Sequence, residues 1–503
     1  MKFLYLLIFV CPLLLSCKHK TENKSQDPVT TYSDIESGLL PAVIIGDSIL
    51  QNYTISEAME TYNVPGVSLA LFKDGDIVWT SQYGTIAKDS AQPITSTTKF
   101  QAASISKAIT ALGVLKLVET YNLDLDTDIN TYLKSWKAES EFDESKKVTI
   151  RQLLNHTSGA TVQGFHGYSN VGTTPSLLDI VNGKANSAKV EISTVPGTQF
   201  SYSGGGFAIL QLLVQDVTGN DFESYFQDVV FSPLKMTHST FNQFPKDNIA
   251  LGHDDSGKMH PEGHLIFPEL SAAGLWTTPT DLAKFSIAIA NSYKGKPNSF
   301  ISQDLATQML TVTKVWGLGV GVRGEGDTAF FFHAGGNPGS YKSILINHYN
   351  KNTGIAVMTN AKQGNTLNDD ILRSFSALFE NSVFEPTYIT PYELSEKETN
   401  AIIGKYQLEE EDNYFLDVYS TDSNRIVLHD LNDGMKVTFV PVSKTEFIDV
   451  DNGGKSSFTI DSITNKVVKM NYGEGYVFKK VDKSLKFLGL NIIFAGPPKL
   501  NQE

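Results

Sequence analysis

The stretch "SISKAITALGVLKLVETY", which begins at Ser104, constrains the fold more than any other part of the chain. Its apolar residues lie on most faces of a helix rather than along one stripe, and this pattern predicts a buried helix. The chain has 503 residues, too many for one compact core, so two domains with appendages are expected. The sequence therefore predicts a buried helix within a chain of more than one domain.

Periodic patterns predict further elements on both sides of this helix. "VPGVSLALFKDGDIVWTSQYG" predicts a β-hairpin with its turn at Lys73–Asp76. "TIRQLLNHTSG" predicts a short helix in which Thr149 and Gln152 form a capping box. Two more helices are expected in "GGGFAILQLLVQDVTG", closed by Gly219, and in "LNDDILRSFSALFEN". Between them, "TAFFFHAGGNPGSYKSILINHYNKNTGIAVMTNA" predicts three strands.

The composition changes near Pro386. From about Ile402 to Val481 the chain shows short alternating segments, such as "RIVLHDL", "KVTFVPV" and "SFTIDSI". Turn residues at Asn432–Gly434 and Asn452–Gly454 separate these segments. The spacing predicts a small all-β domain and leaves a barrel or a sandwich open.

The N-terminal segment has the features of an export signal. Lys2 precedes an apolar run to Leu15 that is too short to span a bilayer comfortably but suits a signal peptide. The sequence "LLSC", ending at Cys17, resembles the bacterial lipobox, which implies acylation of Cys17 and attachment to a membrane surface. The expected location is the bacterial cell envelope, facing the periplasm, with secretion as the alternative if the lipobox is not used.

Charge and motif content exclude several classes of function. The formal net charge is -14 and no basic stripe is present, so nucleic acid is not an expected partner. The chain has no P-loop, no dinucleotide fingerprint and no G-x-S-x-G motif. The mature chain would keep Cys17 as its single cysteine, which excludes a disulfide framework and a cysteine-based metal site. No cofactor and no protein partner are predicted.

Two histidines, His260 and His264, flank Glu262 and could be imagined as metal ligands. Pro261 and Gly263 break the helix that an H-E-x-x-H zinc site requires, so no metal is predicted and a polar loop is the preferred interpretation.

The pattern S-x-x-K occurs three times, at Ser96–Lys99, Ser104–Lys107 and Ser232–Lys235. A serine nucleophile needs an adjacent base, and a lysine serves only if burial or another cation lowers its pKa. Only Ser104 opens a long apolar helix, where i,i+3 spacing puts both side chains on one face and the helix N-terminus faces the serine. The alternative for Ser104 is a helix N-cap followed by a solvated lysine.

The segment "FQAASISKAITALGVLKLVE" closely resembles the active-site helix of the serine β-lactamases and penicillin-recognising DD-peptidases, especially their class C-like branch. The resemblance runs from about Val64 to Asn360. "VPGVSLALFKDGDIVW", "LDLDTDINTYL", "TIRQLLNHTSG", "PGTQFSYSGGGFAILQLLVQDVTG", "SAAGLWTTPTDLAKF" and "FFHAGG" follow in the order of the family. This resemblance implies an α+β fold with an antiparallel sheet, flanking helices and an all-helical lobe, followed by a small lipocalin-like barrel.

The same resemblance implies roles for individual residues. Ser104 corresponds to the nucleophile that accepts the acyl group, and Lys107 to its neutral-lysine partner. Tyr202 occupies the tyrosine position of the Y-x-N motif and would share proton transfer. His333 and Gly335 stand at the K-T-G strand and would bind substrate. The backbone N–H groups of Ser104 and Gly336 would form the oxyanion hole.

Two departures from the family pattern affect the expected substrate. Gly204 replaces the asparagine that normally hydrogen-bonds the acylamino carbonyl of the substrate. His333 replaces a lysine and weakens the positive charge expected opposite a substrate carboxylate. The sequence therefore predicts a broader serine hydrolase acting on ester or D-amino-acid peptide bonds of a small molecule or peptide, rather than an efficient β-lactamase. The alternative is a protein of the same fold that binds cell-wall peptides or β-lactams without turnover.

The predicted organisation follows from these patterns. It consists of a lipoprotein signal peptide (1–16), the lipidated cysteine with a flexible tether (17–45), the hydrolase domain (46–385), the all-β domain (390–485) and a tail (486–503).

Overall fold

The computed structural model describes residues 32–46, 53–142, 147–338, 340–379, 383–411, 413–421, 424–431, 434–464, 466–473 and 475–481. The predicted signal peptide, the predicted lipidation site Cys17 and the C-terminal tail lie outside the described residues. Among the helices that are described, none is both long enough and apolar enough to cross a membrane.

The first part of the chain forms one antiparallel sheet and two short ribbons. The sheet has six strands in the order β3-β2-β9-β8-β7-β6. In the ribbons, β1 pairs with β10 in parallel and β4 pairs with β5 antiparallel. The strands are β1 (Val43–Ile45), β2 (Gly66–Lys73), β3 (Asp76–Gly84), β4 (Phe100–Gln101), β5 (Trp276–Thr277), β6 (Gly321–Arg323), β7 (Phe330–Asn337), β8 (Tyr341–His348), β9 (Thr353–Thr359) and β10 (Thr387–Ile389).

Helices cover both faces of this sheet. The α-helices are α1 (Asp34–Ser37), α2 (Ile55–Thr61), α3 (Ile105–Tyr121), α4 (Ile150–Leu154), α5 (Leu177–Val181), α6 (Gly204–Thr218), α7 (Phe222–Phe226), α8 (Leu270–Ala273), α9 (Pro279–Tyr293), α10 (Gln303–Leu310), α11 (Gly364–Leu378) and α12 (Glu396–Ile402). A π-helical turn spans Gln227–Phe231, and 3₁₀ turns span Ile129–Thr131 and Gly326–Thr328. Apolar residues of α3 and α9 face one side of the sheet, and those of α2 and α11 face the other.

The local predictions for this part are confirmed. Helix α3 is buried along nearly its whole length, as its all-round apolar pattern requires. The side chain of Thr149 caps α4 in a full capping box with Gln152. Gly219 ends α6 in the left-handed conformation with φ of 74°.

The C-terminal part is a closed barrel of eight antiparallel strands. The strands are β11 (Gly404–Leu408), β12 (Phe415–Thr421), β13 (Arg425–Asp430), β14 (Lys436–Pro441), β15 (Glu446–Asp449), β16 (Lys455–Ile460), β17 (Val467–Tyr472) and β18 (Tyr476–Val481). Pairing of β11 with β18 closes the barrel, so the sandwich alternative is excluded. Its interior is filled mainly by aromatic and aliphatic side chains, including Tyr406, Phe447 and Phe458. The predicted fold class, an α+β domain followed by an all-β barrel, is confirmed.

The segment before the first domain is partly folded against it. Ile35 and Leu39 are fully buried, and β1 pairs with β10 beside the barrel. Burial of these apolar residues explains why the described part of the range 17–45, which the sequence predicts as a flexible tether, contains α1 and β1.

Candidate active site

Ser104 and Lys107 meet at the N-terminus of α3. Ala103, just before the serine, has a φ of 48°, an uncommon left-handed conformation for a residue with a side chain. The chain then enters the helix, and one turn later Lys107 places Nζ 3.2 Å from Oγ of Ser104. The ammonium or amine also donates to the carbonyl oxygen of Ala272 in α8 at 2.9 Å. The serine and the lysine are thus in hydrogen-bonding contact, with the lysine held from a second element.

Burial controls the charge of this lysine. Lys107 is only 2% exposed, and desolvation lowers its pKa to about 7. Its Nζ lies 5.0 Å from the ring centroid of Tyr202 and 5.9 Å from that of Phe207, which form part of its surroundings. A substantial fraction of Lys107 is therefore uncharged near neutral pH and able to accept a proton.

Tyr202 lies directly before the N-cap of α6. Ser203 supplies that cap, since its Oγ accepts a hydrogen bond from the N–H of Gly206 at 2.8 Å. Burial raises the pKa of Tyr202 to about 12, and a hydrogen bond with Ser104 partly opposes this effect. The tyrosine hydroxyl is therefore protonated at neutral pH and lies next to the serine.

Strand β7 approaches the serine from the sheet. A Cβ atom on Gly335 would lie 2.1 Å from the carbonyl oxygen of Ala102, so only glycine allows the strand to come this close to the segment before Ser104. Gly336 is the next residue and is exposed. The approach brings the strand that carries His333, Gly335 and Gly336 against the start of α3.

His333 is buried and uncharged. Its Nδ1 donates to the carbonyl oxygen of Ala334 at 2.7 Å, because a carbonyl can only accept, and Nε2 therefore carries the lone pair. Burial lowers its pKa to about 3, and the nearby charge of Lys107 acts in the same direction. His333 thus supplies no fixed positive charge at neutral pH.

The space beside Gly204 is already occupied. The N–H of Gly204 donates to the carbonyl oxygen of Gln163 at 3.0 Å. A Cβ atom on Gly204 would lie 3.0 Å from Cε2 of Phe165 and 3.1 Å from that same carbonyl oxygen. A side chain at this position would require Phe165 and the backbone at Gln163 to shift by a few tenths of an ångström, so the loss of asparagine is accompanied by close packing rather than by open space.

His156, which follows α4, is closely tied to the site. Its Nδ1 accepts from the N–H of Ser203 at 3.1 Å, and its carbonyl oxygen accepts from the N–H of Ser201 at 2.8 Å. Its ring lies 4.3 Å from the ring of Tyr202, centroid to centroid. Burial is the main cause that holds its pKa well below the usual value, and repulsion from the charged form of Lys107 acts in the same direction. His156 therefore fixes the backbone on both sides of Tyr202.

One further residue at the site was not identified from the sequence. Trp316 contacts the rings of Tyr202, His156 and His333 at centroid distances of 6.4, 6.3 and 5.9 Å. It lies in no recognisable motif, since it reaches the site only through the folding of distant segments.

The loop with His260 and His264 has a structural role. The carboxylate of Glu262 accepts from Oγ of Ser169 at 2.8 Å and from the N–H of Asn170 at 3.1 Å. Nothing within the described ranges groups three or more His, Cys, Asp or Glu residues in a way that could hold a metal ion.

Comparison with known proteins places this arrangement in a family. The family model described as Beta-lactamase matches residues 52–377. Protein flp of Staphylococcus aureus strain MRSA252 is 27% identical over 331 residues, which cover 63% of this chain and 64% of that protein. Penicillin-binding protein 4 of Amycolatopsis lactamdurans is 32% identical over 184 residues, covering 36% and 46% of the two chains. The chain therefore spans about 64% of the length of the flp relatives that it matches.

Solved structures show the same fold. The octameric penicillin-binding protein homologue from Pyrococcus abyssi aligns with a TM-score of 0.58 at 22% identity, over 84% of this chain and 98% of that one. The D-amino acid amidase from Ochrobactrum anthropi SV3 aligns with a TM-score of 0.53 at 22% identity, over 65% of this chain and 96% of that one. A class C beta-lactamase gives a TM-score of 0.51 at 21% identity, over 63% and 93% of the two chains.

Proposed function

Because the chain belongs to the Beta-lactamase family, we propose that it is a serine hydrolase that acts through an acyl-enzyme on ester or D-amino-acid peptide and amide bonds. The observation that carries the proposal is the contact of 3.2 Å between Nζ of a buried Lys107 and Oγ of Ser104. An S-x-x-K pair with a solvated lysine would lack the lowered pKa that makes the lysine a base.

The proposed reaction has two steps. Uncharged Lys107 takes the proton of Ser104 while Oγ attacks the carbonyl carbon of the substrate, and a tetrahedral intermediate forms. Its oxyanion is stabilised by the backbone N–H groups of Ser104 and Gly336. Tyr202, protonated at neutral pH, delivers its proton to the leaving group and takes the proton that Lys107 accepted, so both residues regain their starting forms as the leaving group departs. Water then attacks the acyl-enzyme and gives a proton to Lys107, and this proton returns to Oγ as the acid is released.

The departures from the family pattern at Gly204 and His333 argue against efficient β-lactam hydrolysis. Phe165 fills the space next to Gly204, and His333 is uncharged near neutral pH. A substrate carboxylate and an acylamino carbonyl would both lose their usual partners. Simple esters and amides make fewer demands on these two positions, and the shared fold with a D-amino acid amidase is compatible with amide substrates.

A binding protein without turnover is the second candidate, and the filled space at Gly204 is the feature that favours it. One experiment separates the two. The full-length chain in non-ionic detergent is treated with a fluorophosphonate probe and, separately, with a p-nitrophenyl ester. Wild type should be labelled and should turn over the ester continuously, whereas Ser104→Ala should do neither.

Ser96→Ala is the matched control, because Ser96 is the serine of another S-x-x-K pattern and is exposed. This variant should behave as wild type. A single burst of product without turnover would support the binding protein. Absence of both labelling and turnover in wild type would refute the hydrolase.

A further inference from the structure

A cavity lies at the end of the sheet where β7 begins. Its volume is ≈430 Å³, within the range of about 300–1,000 Å³ that small-molecule sites occupy. The β2–β3 turn, the end of α9, the β8–β9 turn and the end of α11 form its walls. The lining residues are Lys73, Asp74, Lys294, His348, Asn350, Lys351, Thr353, Leu378 and Phe379.

Positive charge dominates this lining. Lys73, Lys294 and Lys351 all face the cavity, and Asp74 is the acidic residue among them. Within the described part of the chain, none of the three lysines forms an ion pair. The carbonyl ends of α9 and α11 each add a partial negative charge of about half a unit, and together with Asp74 these do not cancel the three lysines. A local excess of positive charge is unusual in a chain with a net charge of -14, and it favours an anionic ligand.

His348, at the end of β8, also lines the cavity and is 2% exposed. Both of its ring nitrogens are buried, and a backbone hydrogen bond with Thr328 partly opposes the effect of burial on its pKa. Burial lowers its pKa to about 4, and the charge of Lys351 acts in the same direction, so the ring is neutral and has one N–H to donate. His348 therefore adds no charge to the cavity.

The remaining wall is apolar. Leu378 and Phe379, at the end of α11, also line the cavity. Nζ of Lys73 lies 5.9 Å from the ring centroid of Phe379, which places a cation at the boundary between the charged and apolar parts. The cavity thus offers lysines to a head group and an apolar surface to whatever the head group is attached to.

We propose that this cavity binds a small phosphomonoester that carries a short apolar group. Lysine commonly binds phosphate and does so as a point charge. A phosphate dianion therefore matches a cavity lined by several lysines. Gly336, of the proposed oxyanion hole, pairs with Lys342 of β8, and His348 lies six residues further along that strand. At about 3.3 Å per residue, the cavity is about 20 Å along the sheet from the oxyanion hole. Binding here is therefore separate from the chemistry at Ser104.

The test is isothermal titration calorimetry of the full-length chain in non-ionic detergent at about pH 7.5, where phosphate is mostly a dianion. Hexyl phosphate and inorganic phosphate are the ligands. Both should bind to wild type, and hexyl phosphate should bind more tightly because its tail contacts Leu378 and Phe379. The double variant Lys294→Gln/Lys351→Gln should bind hexyl phosphate at least about tenfold more weakly.

The matched control is Lys184→Gln/Lys246→Gln, which removes the same charge from two exposed lysines outside the cavity. It should change the dissociation constant by less than about twofold. No binding of either phosphate to wild type overturns the proposal, as does an equal loss in the two double variants. Equal affinity for the two ligands overturns the role given to the apolar wall. Ester turnover by all variants at the wild-type rate verifies folding.

Discussion

At the scale of single residues, the protonation state of Lys107 sets how the proposed hydrolysis depends on pH. Burial lowers its pKa to about 7, and only the uncharged amine accepts the proton of Ser104. Since the uncharged fraction grows as the pH rises through this value, kcat/KM for a p-nitrophenyl ester should increase from about pH 6 to about pH 8 and then level off. Tyr202 keeps its proton over this range, because its pKa is raised to about 12.

The measurement is kcat/KM at closely spaced pH values, with Ser104→Ala at each pH as the control for spontaneous ester hydrolysis. If kcat/KM stays constant from about pH 6 to about pH 8 after that background is subtracted, Lys107 is not the base.

At the scale of elements, the residue after α4 positions the segment that leads into α6. His156 holds the backbone at Ser201 and Ser203, and its ring packs at a tilt against that of Tyr202. Asparagine suits its φ of 60° but lacks the ring, so His156→Asn should let Tyr202 move. We expect kcat to fall by roughly tenfold to a hundredfold with little change in KM, as misplacement of a catalytic group does.

His166→Asn is the control, because His166 is exposed and should leave both constants unchanged. A change confined to KM would instead indicate contact with substrate. An unchanged kcat in His156→Asn would show that Tyr202 is positioned without this contact.

At the scale of the whole molecule, a small apolar cluster joins the barrel to the rest of the chain. It contains Ala42 and Val43 near β1, Ile389 of β10, and Val440 and Ile448 of the barrel. The N–H of Tyr392 also donates to the carbonyl oxygen of Pro441 at 2.8 Å. Ile448→Ala removes buried methyl groups, a change that typically costs about 2–5 kcal/mol. We expect faster proteolysis of the connection at 390–403 but kcat/KM within about twofold of wild type, since the cluster contains no proposed catalytic residue.

Ile463→Ala is the comparison variant, because Ile463 is on the same barrel and 91% exposed. Its proteolysis should match that of wild type. A large loss of kcat/KM in Ile448→Ala would show instead that the docked barrel contributes to the site.

Sequence patterns among neighbouring residues were sufficient to predict much of the fold. The hairpin of β2 and β3, the burial of α3, the capping box at Thr149 and the end of α6 at Gly219 all follow from spacing of one to four residues. For the same reason the S-x-x-K spacing could place Lys107 beside Ser104. The choice between a barrel and a sandwich could not be made, because closure depends on the pairing of β11 with β18, which lie at opposite ends of the domain.

The sequence by itself determined the element types and the pairing of serine with lysine, because both are properties of a few adjacent residues. The lipid attachment at Cys17 and the roles of the site residues stay predictions. Only the tertiary structure decided that Lys107 is buried, that His333 is neutral and that Phe165 fills the space beside Gly204. These properties arise from desolvation and close packing between segments far apart in the chain, and no local pattern encodes them.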